Sequence, residues 1–145
     1  MAAGKTIHFF YEELEGFNVT SPLKTKNWLN VIATSEKQQI ESINYVFCKD
    51  EYLYKINLEY LSHDTYTDII TFDNSEEDGK IEGDIFISVE RVEENAKNNN
   101  TSFTEELKRV MAHGLLHLVG YNDKTTNEQK VMREKEEACL SLFEF

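Results

Sequence analysis

The chain has 145 residues, of which 40% are hydrophobic and two are cysteines, and its net charge is −12 at neutral pH. The length suits one domain over residues 1–145. No apolar run approaches the roughly 18 residues of a membrane span. Cys48 and Cys139 form no Cys-x-x-Cys pair, so the sequence does not indicate a disulfide framework or a cysteine zinc site. Because phosphate binding depends on Lys and Arg, the negative charge argues against tight nucleic-acid binding, and because the first residues show no signal-peptide pattern we expect a cytoplasmic protein.

The first five predicted elements alternate between strand and helix. They are a strand at residues 5–10, a helix from Ser21-Pro22 to about residue 33, a strand at residues 41–48, a helix at residues 51–61 capped by Asp50, and a strand at residues 65–72. Alternating apolar residues indicate the strands, and the Ser-Pro pair is typical of a helix start. The helical residues expected in the core are Leu23, Trp28, Leu29, Ile32, Leu53, Tyr54 and Leu58.

The second half of the chain predicts a hairpin and then three helices. A strand at residues 80–88 follows an acidic turn at residues 74–79 and can pair antiparallel with the strand before it. The residues that precede the helices are Ser88, Ser102 and Thr125, the last two forming capping boxes with Glu105 and Glu128. The last helix is expected to bury Val131, Met132, Ala138, Cys139 and Leu142. The order β-α-β-α-β-β-α-α-α predicts an α+β fold, a single domain with helices packed on a small mixed four-stranded sheet.

Two histidines stand in the most apolar helix of the chain. His113 and His117 are the only polar side chains between Val110 and Gly120, and a helix places them on one face, one turn apart. Burial without partners would cost about 2–7 kcal/mol for each polar group. They are therefore either core histidines bonded to backbone or a pair of metal ligands.

The residues after the second histidine favour the metal site. Gly120 stands where a helix commonly ends with a left-handed residue, and a turn there can bring Asp123 back toward the histidines. Three protein ligands with a fourth position open to water are typical of catalytic zinc sites. Gly114 occupies the position of the general base in the zinc peptidase motif His-Glu-x-x-His, which argues against peptide hydrolysis.

Two acidic residues lie on otherwise apolar strands. Asp68 and Asp84 would be costly there without partners. Each can support the metal ligands from behind or cap a turn or neighbouring backbone, and the sequence leaves both interpretations open.

The segment HGLLHLVGYND resembles the signature of the YbeY family, whose pattern is His-Gly-x-Leu-His-Leu-x-Gly-Tyr-Asp-His. The matching positions are His113, Gly114, Leu116, His117, Leu118, Gly120 and Tyr121. The third histidine of the pattern falls on Asp123, and Asp is an acceptable but harder zinc ligand. Two earlier blocks also resemble the family, with matches at Asn57, Tyr60, Thr67, Asp68 and Phe72 and then at Gly83-Asp84-Ile85, Ile87-Ser88 and Ala96.

One departure from the family pattern removes a positively charged side chain. The family's arginine falls on Leu61, which cannot contact a phosphate as Arg does, so another cation would have to replace it. His63 lies close enough by spacing, although an exposed loop histidine is the simpler interpretation. Further candidates for phosphate contacts are Arg91, Lys97, Lys108 and Arg109.

The resemblance implies a metal-dependent endoribonuclease that cuts single-stranded RNA in ribosomal RNA processing and ribosome maturation. It implies one Zn²⁺ ion held by His113, His117 and Asp123 as the catalytic residues, with ribosomal RNA and ribosomal particles or proteins as partners. Zinc can make water a nucleophile at neutral pH. Another divalent metal, the substrate-binding residues and the oligomeric state remain open. The alternatives are a non-catalytic ribosome assembly factor with a structural metal, a small metallopeptidase, and an interaction domain with two core histidines.

Overall fold

The computed structural model describes residues 6–63 and 65–143, and it contains four strands and five helices in those ranges. In chain order they are β1 (Ile7–Tyr11), α1 (Pro22–Ser35), β2 (Gln39–Cys48), α2 (Asp50–Leu61), β3 (Ile69–Asp73), β4 (Lys80–Ser88), α3 (Val89–Asn98), α4 (Phe103–Val119) and α5 (Thr126–Ser141). The predicted element order is confirmed. Lys5, predicted to begin the first strand, lies outside the described residues. None of the helices in the described ranges is both long enough and apolar enough to cross a membrane.

The strands form one mixed sheet in the order β1-β2-β4-β3. β1 and β4 each pair parallel with β2, and β3 pairs antiparallel with β4 as the edge strand. The predicted hairpin and the α+β class are therefore confirmed. Along β4, alternation places Ile85 and Ile87 on the face that α4 covers and Phe86 on the opposite face, against α2.

Helix α4 lies at the centre of the main core. Its buried side chains include Leu107, Val110, Met111, Leu115, Leu116 and Leu118, as expected for the most apolar helix of the chain. Gly83 and Gly114 allow the helix and the sheet to approach closely. A Cβ on Gly114 would lie 2.9 Å from Ile69 Cδ1, and one on Gly83 would lie 2.5 Å from the Phe72 carbonyl oxygen. The sheet therefore supports the helix that carries both histidines.

Several predicted core residues are exposed. Leu23 is 62% exposed and Leu58 is 47% exposed. In α2 the buried positions are Leu53, Ile56 and Asn57, and Leu58 points about 140° away from Leu53 at 100° per residue. In α5 the buried set is Met132, Glu136, Cys139 and Leu140, so the predictions for Val131, Ala138 and Leu142 were wrong. Each short helix buries only the face that its neighbours cover.

The helix starts confirm most of the predicted caps. The Thr125 and Glu128 side chains form a complete capping box, and the Ser88 and Ser102 hydroxyls each accept a backbone N–H bond. The box predicted for Ser102 and Glu105 is only half formed, because the Glu105 carboxylate accepts from the Thr101 hydroxyl instead. Ser21 makes no side-chain cap bond and has a φ of 48°. Asp50 is the first residue of α2 rather than its cap, and its carboxylate binds Arg91 at 2.7 Å.

Candidate metal centre

Three side chains converge at the C-terminal end of α4. His113 Nε2 and His117 Nε2 are 3.0 Å apart, and Asp123 Oδ2 lies 3.3 Å from the first and 3.2 Å from the second. These are the three residues predicted from the sequence, and the structure brings them together in one cluster.

The end of α4 explains how Asp123 returns to the histidines. Gly120 has a φ of 128°, a left-handed conformation that glycine adopts without a Cβ clash. Its N–H bonds the His117 carbonyl, and the Tyr121 N–H bonds the Leu116 carbonyl, which together make a Schellman motif. The Tyr121 hydroxyl then donates to Glu36 at 2.6 Å. The loop that carries Asp123 is thus tied at its first residues.

Each imidazole forms a hydrogen bond through Nδ1, the ring nitrogen that does not face the cluster. His117 Nδ1 lies 3.0 Å from the Tyr121 carbonyl oxygen, and a carbonyl can only accept, so Nδ1 carries the proton. His113 Nδ1 lies 2.7 Å from Glu136 Oε2 and donates to that carboxylate. When both rings are neutral, each Nε2 then presents a lone pair to the other and to Asp123 Oδ2. Three acceptors facing one another repel unless a cation lies between them.

The distances suit a divalent cation. Tetrahedral zinc with ligands at about 2.0–2.2 Å separates neighbouring ligand atoms by about 3.3–3.6 Å, and the three separations here are 3.0, 3.2 and 3.3 Å. Two imidazole nitrogens and one carboxylate oxygen are ligands that zinc accepts. The alternative interpretation, two core histidines bonded to backbone, does not explain why Asp123 faces both rings. Of the two histidines, His117 bonds a backbone carbonyl and His113 bonds the Glu136 carboxylate.

The electrostatics of the cluster also favour positive charge. Burial opposes protonation of His113, but the hydrogen bond and charge of Glu136, with the charges of Asp123 and Asp68, outweigh burial and raise the pKa of His113. The same carboxylates attract a metal ion.

Asp68 and Asp84, the two acids predicted on strands, lie on different sides of the sheet. Asp84 is on β4 as predicted, whereas Asp68 immediately precedes β3, which begins at Ile69. Asp68 lines a pocket of about 360 Å³ together with His113, Asp123 and Glu136. Burial raises the pKa of its carboxyl despite the opposing charge of His113, and Asn95 donates to it at 3.3 Å. Asp84 accepts hydrogen bonds from the Asn44 and Asn74 amides instead. It is on the Phe86 side of β4, away from the cluster.

Glu136 was missed in the sequence. It is a buried acid on α5, and it reaches both His113 and Arg109. The sequence did contain one indication that Glu136 would be buried. It follows Met132 by four residues, and positions i and i+4 of a helix share a face. Which face α5 turns to α4 was not readable from its own residues.

The model of the family described as Endoribonuclease YbeY matches residues 16–144. The chain belongs to the YbeY family. Proteins named Endoribonuclease YbeY are 55% identical in Cytophaga hutchinsonii, over 97% of this chain and 98% of that one, and 53% identical in Christiangramia forsetii, over 94% of each. A Thermotoga maritima protein solved in solution is 29% identical, with a TM-score of 0.69 over 95% of this chain and 89% of its own.

In this YbeY chain the peptidase base position is closed. Gly114 follows the first histidine, and a Cβ there would meet Ile69 Cδ1 at 2.9 Å and Ile85 Cγ2 at 3.0 Å. A side chain at residue 114 would therefore point into the sheet and away from the metal ligands. The fold leaves no place for the glutamate of a zinc peptidase at this position.

Proposed function

We propose that this chain is a metal-dependent endoribonuclease that cuts single-stranded RNA during ribosomal RNA maturation in the cytoplasm. In this proposal residues 1–145 form one hydrolase domain, and one zinc ion is held by His113, His117 and Asp123. The observation that carries it is the convergence of three metal-binding atoms within 3.0–3.3 Å of one another. The names of the YbeY relatives supply the reaction class.

His113, His117 and Asp123 would hold the ion. A zinc ion at such a site makes water more acidic and polarises a phosphoryl oxygen. Tyr121 and Glu136 orient the two imidazoles through Nδ1, and the negative charge of Glu136 makes His113 a stronger ligand. Asp123 closes the third side. The adjoining pocket of about 360 Å³ gives an RNA phosphate room to approach.

The test is cleavage of a structured RNA with single-stranded tails by the zinc-loaded full chain. We expect cuts in the tails, and a loss of about 100-fold or more in His117→Ala, because that variant removes a metal ligand. His8→Ala is the matched control, since His8 is an exposed residue of β1 stacked near Phe10, and it should cleave at the rate of the unsubstituted chain. Equal cleavage by the chain and His117→Ala would refute the proposal.

The net charge of −12 and the uncharged Leu61 support a second candidate, a non-catalytic ribosome assembly factor with a structural metal. In that case metal removal lowers the melting temperature, no RNA is cut, and a folded His117→Ala variant still binds ribosomal particles. Metal analysis of the purified protein separates both candidates from an interaction domain that binds no ion.

A further inference from the structure

The pocket beside the metal ligands contains two arginines in different states. Arg109, on α4, is 14% exposed and lies 2.7 Å from Glu137 and 3.3 Å from Glu136. Glu106 Oε1 lies 3.7 Å from Arg109 Nε. Three carboxylates therefore compensate one guanidinium, and Arg109 has little charge to offer a ligand.

Arg133, on α5, is in the opposite situation. Its side chain is 62% exposed, and the ion pair found for it within the described residues is a 3.8 Å approach to Glu136 Oε1. That separation is too long for a hydrogen bond, and exposed pairs of this kind contribute little free energy. The guanidinium lines the pocket and retains donors that can meet a second anion.

Glu136 connects this arginine to the metal ligands. Its Oε2 accepts the hydrogen bond from His113, while its Oε1 faces Arg109 and Arg133. Arg133 is thus separated from a metal-binding imidazole by one carboxylate. If one phosphate of an RNA strand lies at the three ligands and the strand continues through this pocket, the next phosphate would meet Arg133, which lines the pocket together with His113 and Asp123.

The other Arg and Lys residues named from the sequence as candidates for phosphate contacts lie away from this pocket. Arg91 binds Asp50 at 2.7 Å, and Lys97 pairs with Glu93 at 3.5 Å on α3. Lys108 is 1% exposed. These three do not line the pocket, whereas Arg133 does.

We propose that Arg133 binds a phosphate of the RNA strand next to the bond that is cut, and so sets how the strand lies across the metal centre. The proposal rests on the proposed function for its substrate. A planar guanidinium offers paired N–H donors to phosphate oxygens, a geometry that an ammonium cannot reproduce. Lys at this position should therefore recover only part of the effect.

The experiment measures binding and cleavage separately. Binding of a fluorescent single-stranded RNA is followed by anisotropy at several salt concentrations, in the full chain carrying His117→Ala so that the RNA stays intact. Arg133→Gln, Arg133→Lys and Lys130→Gln are compared in that background. Lys130 is the matched control, because it is an exposed cation of α5 that does not line the pocket. Cleavage by zinc-loaded protein with each substitution alone is then measured against RNA concentration.

We expect Arg133→Gln to weaken RNA binding about three- to tenfold and to lower the slope of log K against log salt by about 0.7–1. Arg133→Lys should keep the salt slope with an intermediate affinity, and in cleavage KM should rise more than kcat falls. Equal losses in Arg133→Gln and Lys130→Gln, or no loss in either, would overturn the proposal. If Arg133→Gln weakens binding but zinc-loaded protein cuts no RNA, the proposed function fails while the Arg133 contact stands.

Discussion

The carboxylate of Glu136 is expected to strengthen metal binding without touching the ion. Its Oε2 lies 2.7 Å from His113 Nδ1 in a nearly buried site, where a charge-assisted hydrogen bond is strong. Such a bond orients the ring and raises the basicity of Nε2. Glu136→Gln retains an oxygen that can accept from Nδ1 but removes the charge, so the ring stays oriented while the ligand weakens.

The magnitude follows from comparable contacts behind metal-binding histidines, which change affinity by about 10- to 100-fold. We expect Glu136→Gln to weaken zinc binding about tenfold, or about 1.4 kcal/mol, and Glu136→Ala to approach 100-fold because the oxygen is also lost. Zinc affinity is measured by competition with a chromophoric chelator. As a second readout, stabilisation by excess zinc should fall by about 1.4 kcal/mol for each tenfold loss of affinity.

Glu137→Gln is the control for this experiment. Glu137 also pairs with Arg109, at 2.7 Å, but makes no ion pair with His113. Both variants remove a charge that faces Arg109. Because the Glu136 side chain is 9% exposed and the Glu137 side chain is 59% exposed, Glu136→Gln should cost more folding stability, and only Glu136→Gln should change zinc affinity. If the two variants bind zinc equally tightly, Glu136 does not act through His113 and the reasoning is wrong.

Two further predictions concern folding. Gly83→Ala would place a Cβ 2.5 Å from the Phe72 carbonyl oxygen and 3.0 Å from Leu118, so we expect a loss of about 1–3 kcal/mol in urea unfolding; unchanged stability would show that β4 has room to spare. Lys108 Nζ has no hydrogen-bond partner among the described residues, and burial, aided by the charge of Lys24, lowers its pKa to about 8. Because the folded pKa lies below the unfolded value of about 10.4, the penalty is complete below pH 8 and disappears as the pH rises toward 10.4. Lys108→Met should therefore stabilise the chain by roughly 2–3 kcal/mol at pH 7. In urea titrations this gain in the free energy of unfolding should shrink between pH 8 and 10.5. A gain that stays constant over that range would contradict the prediction.

The three candidate metal ligands were predictable because their relation is local. His113 and His117 are one helical turn apart, and Asp123 follows after a glycine whose conformation ends the helix. Helix periodicity and one turn are enough to bring these groups to the same end of the helix. The caps at Ser88, Ser102 and Thr125 are local in the same sense, and the structure confirms them.

Contacts between distant elements were not predictable in this way. Glu136 reaches His113 only because α5 turns one face to α4, and that face contains Glu136 instead of Val131 or Ala138. The same packing surrounds Arg109 with carboxylates and leaves Arg133 exposed.

The sequence by itself determined the element order, the apolar helix and the three groups that converge at its end, because each depends on neighbours within a few residues. Only the tertiary structure decided which carboxylate holds His113, which arginine stays available, and that Asp68 reaches the metal pocket while Asp84 does not. Those outcomes depend on how helices rotate against a sheet, which is set by packing across the whole core.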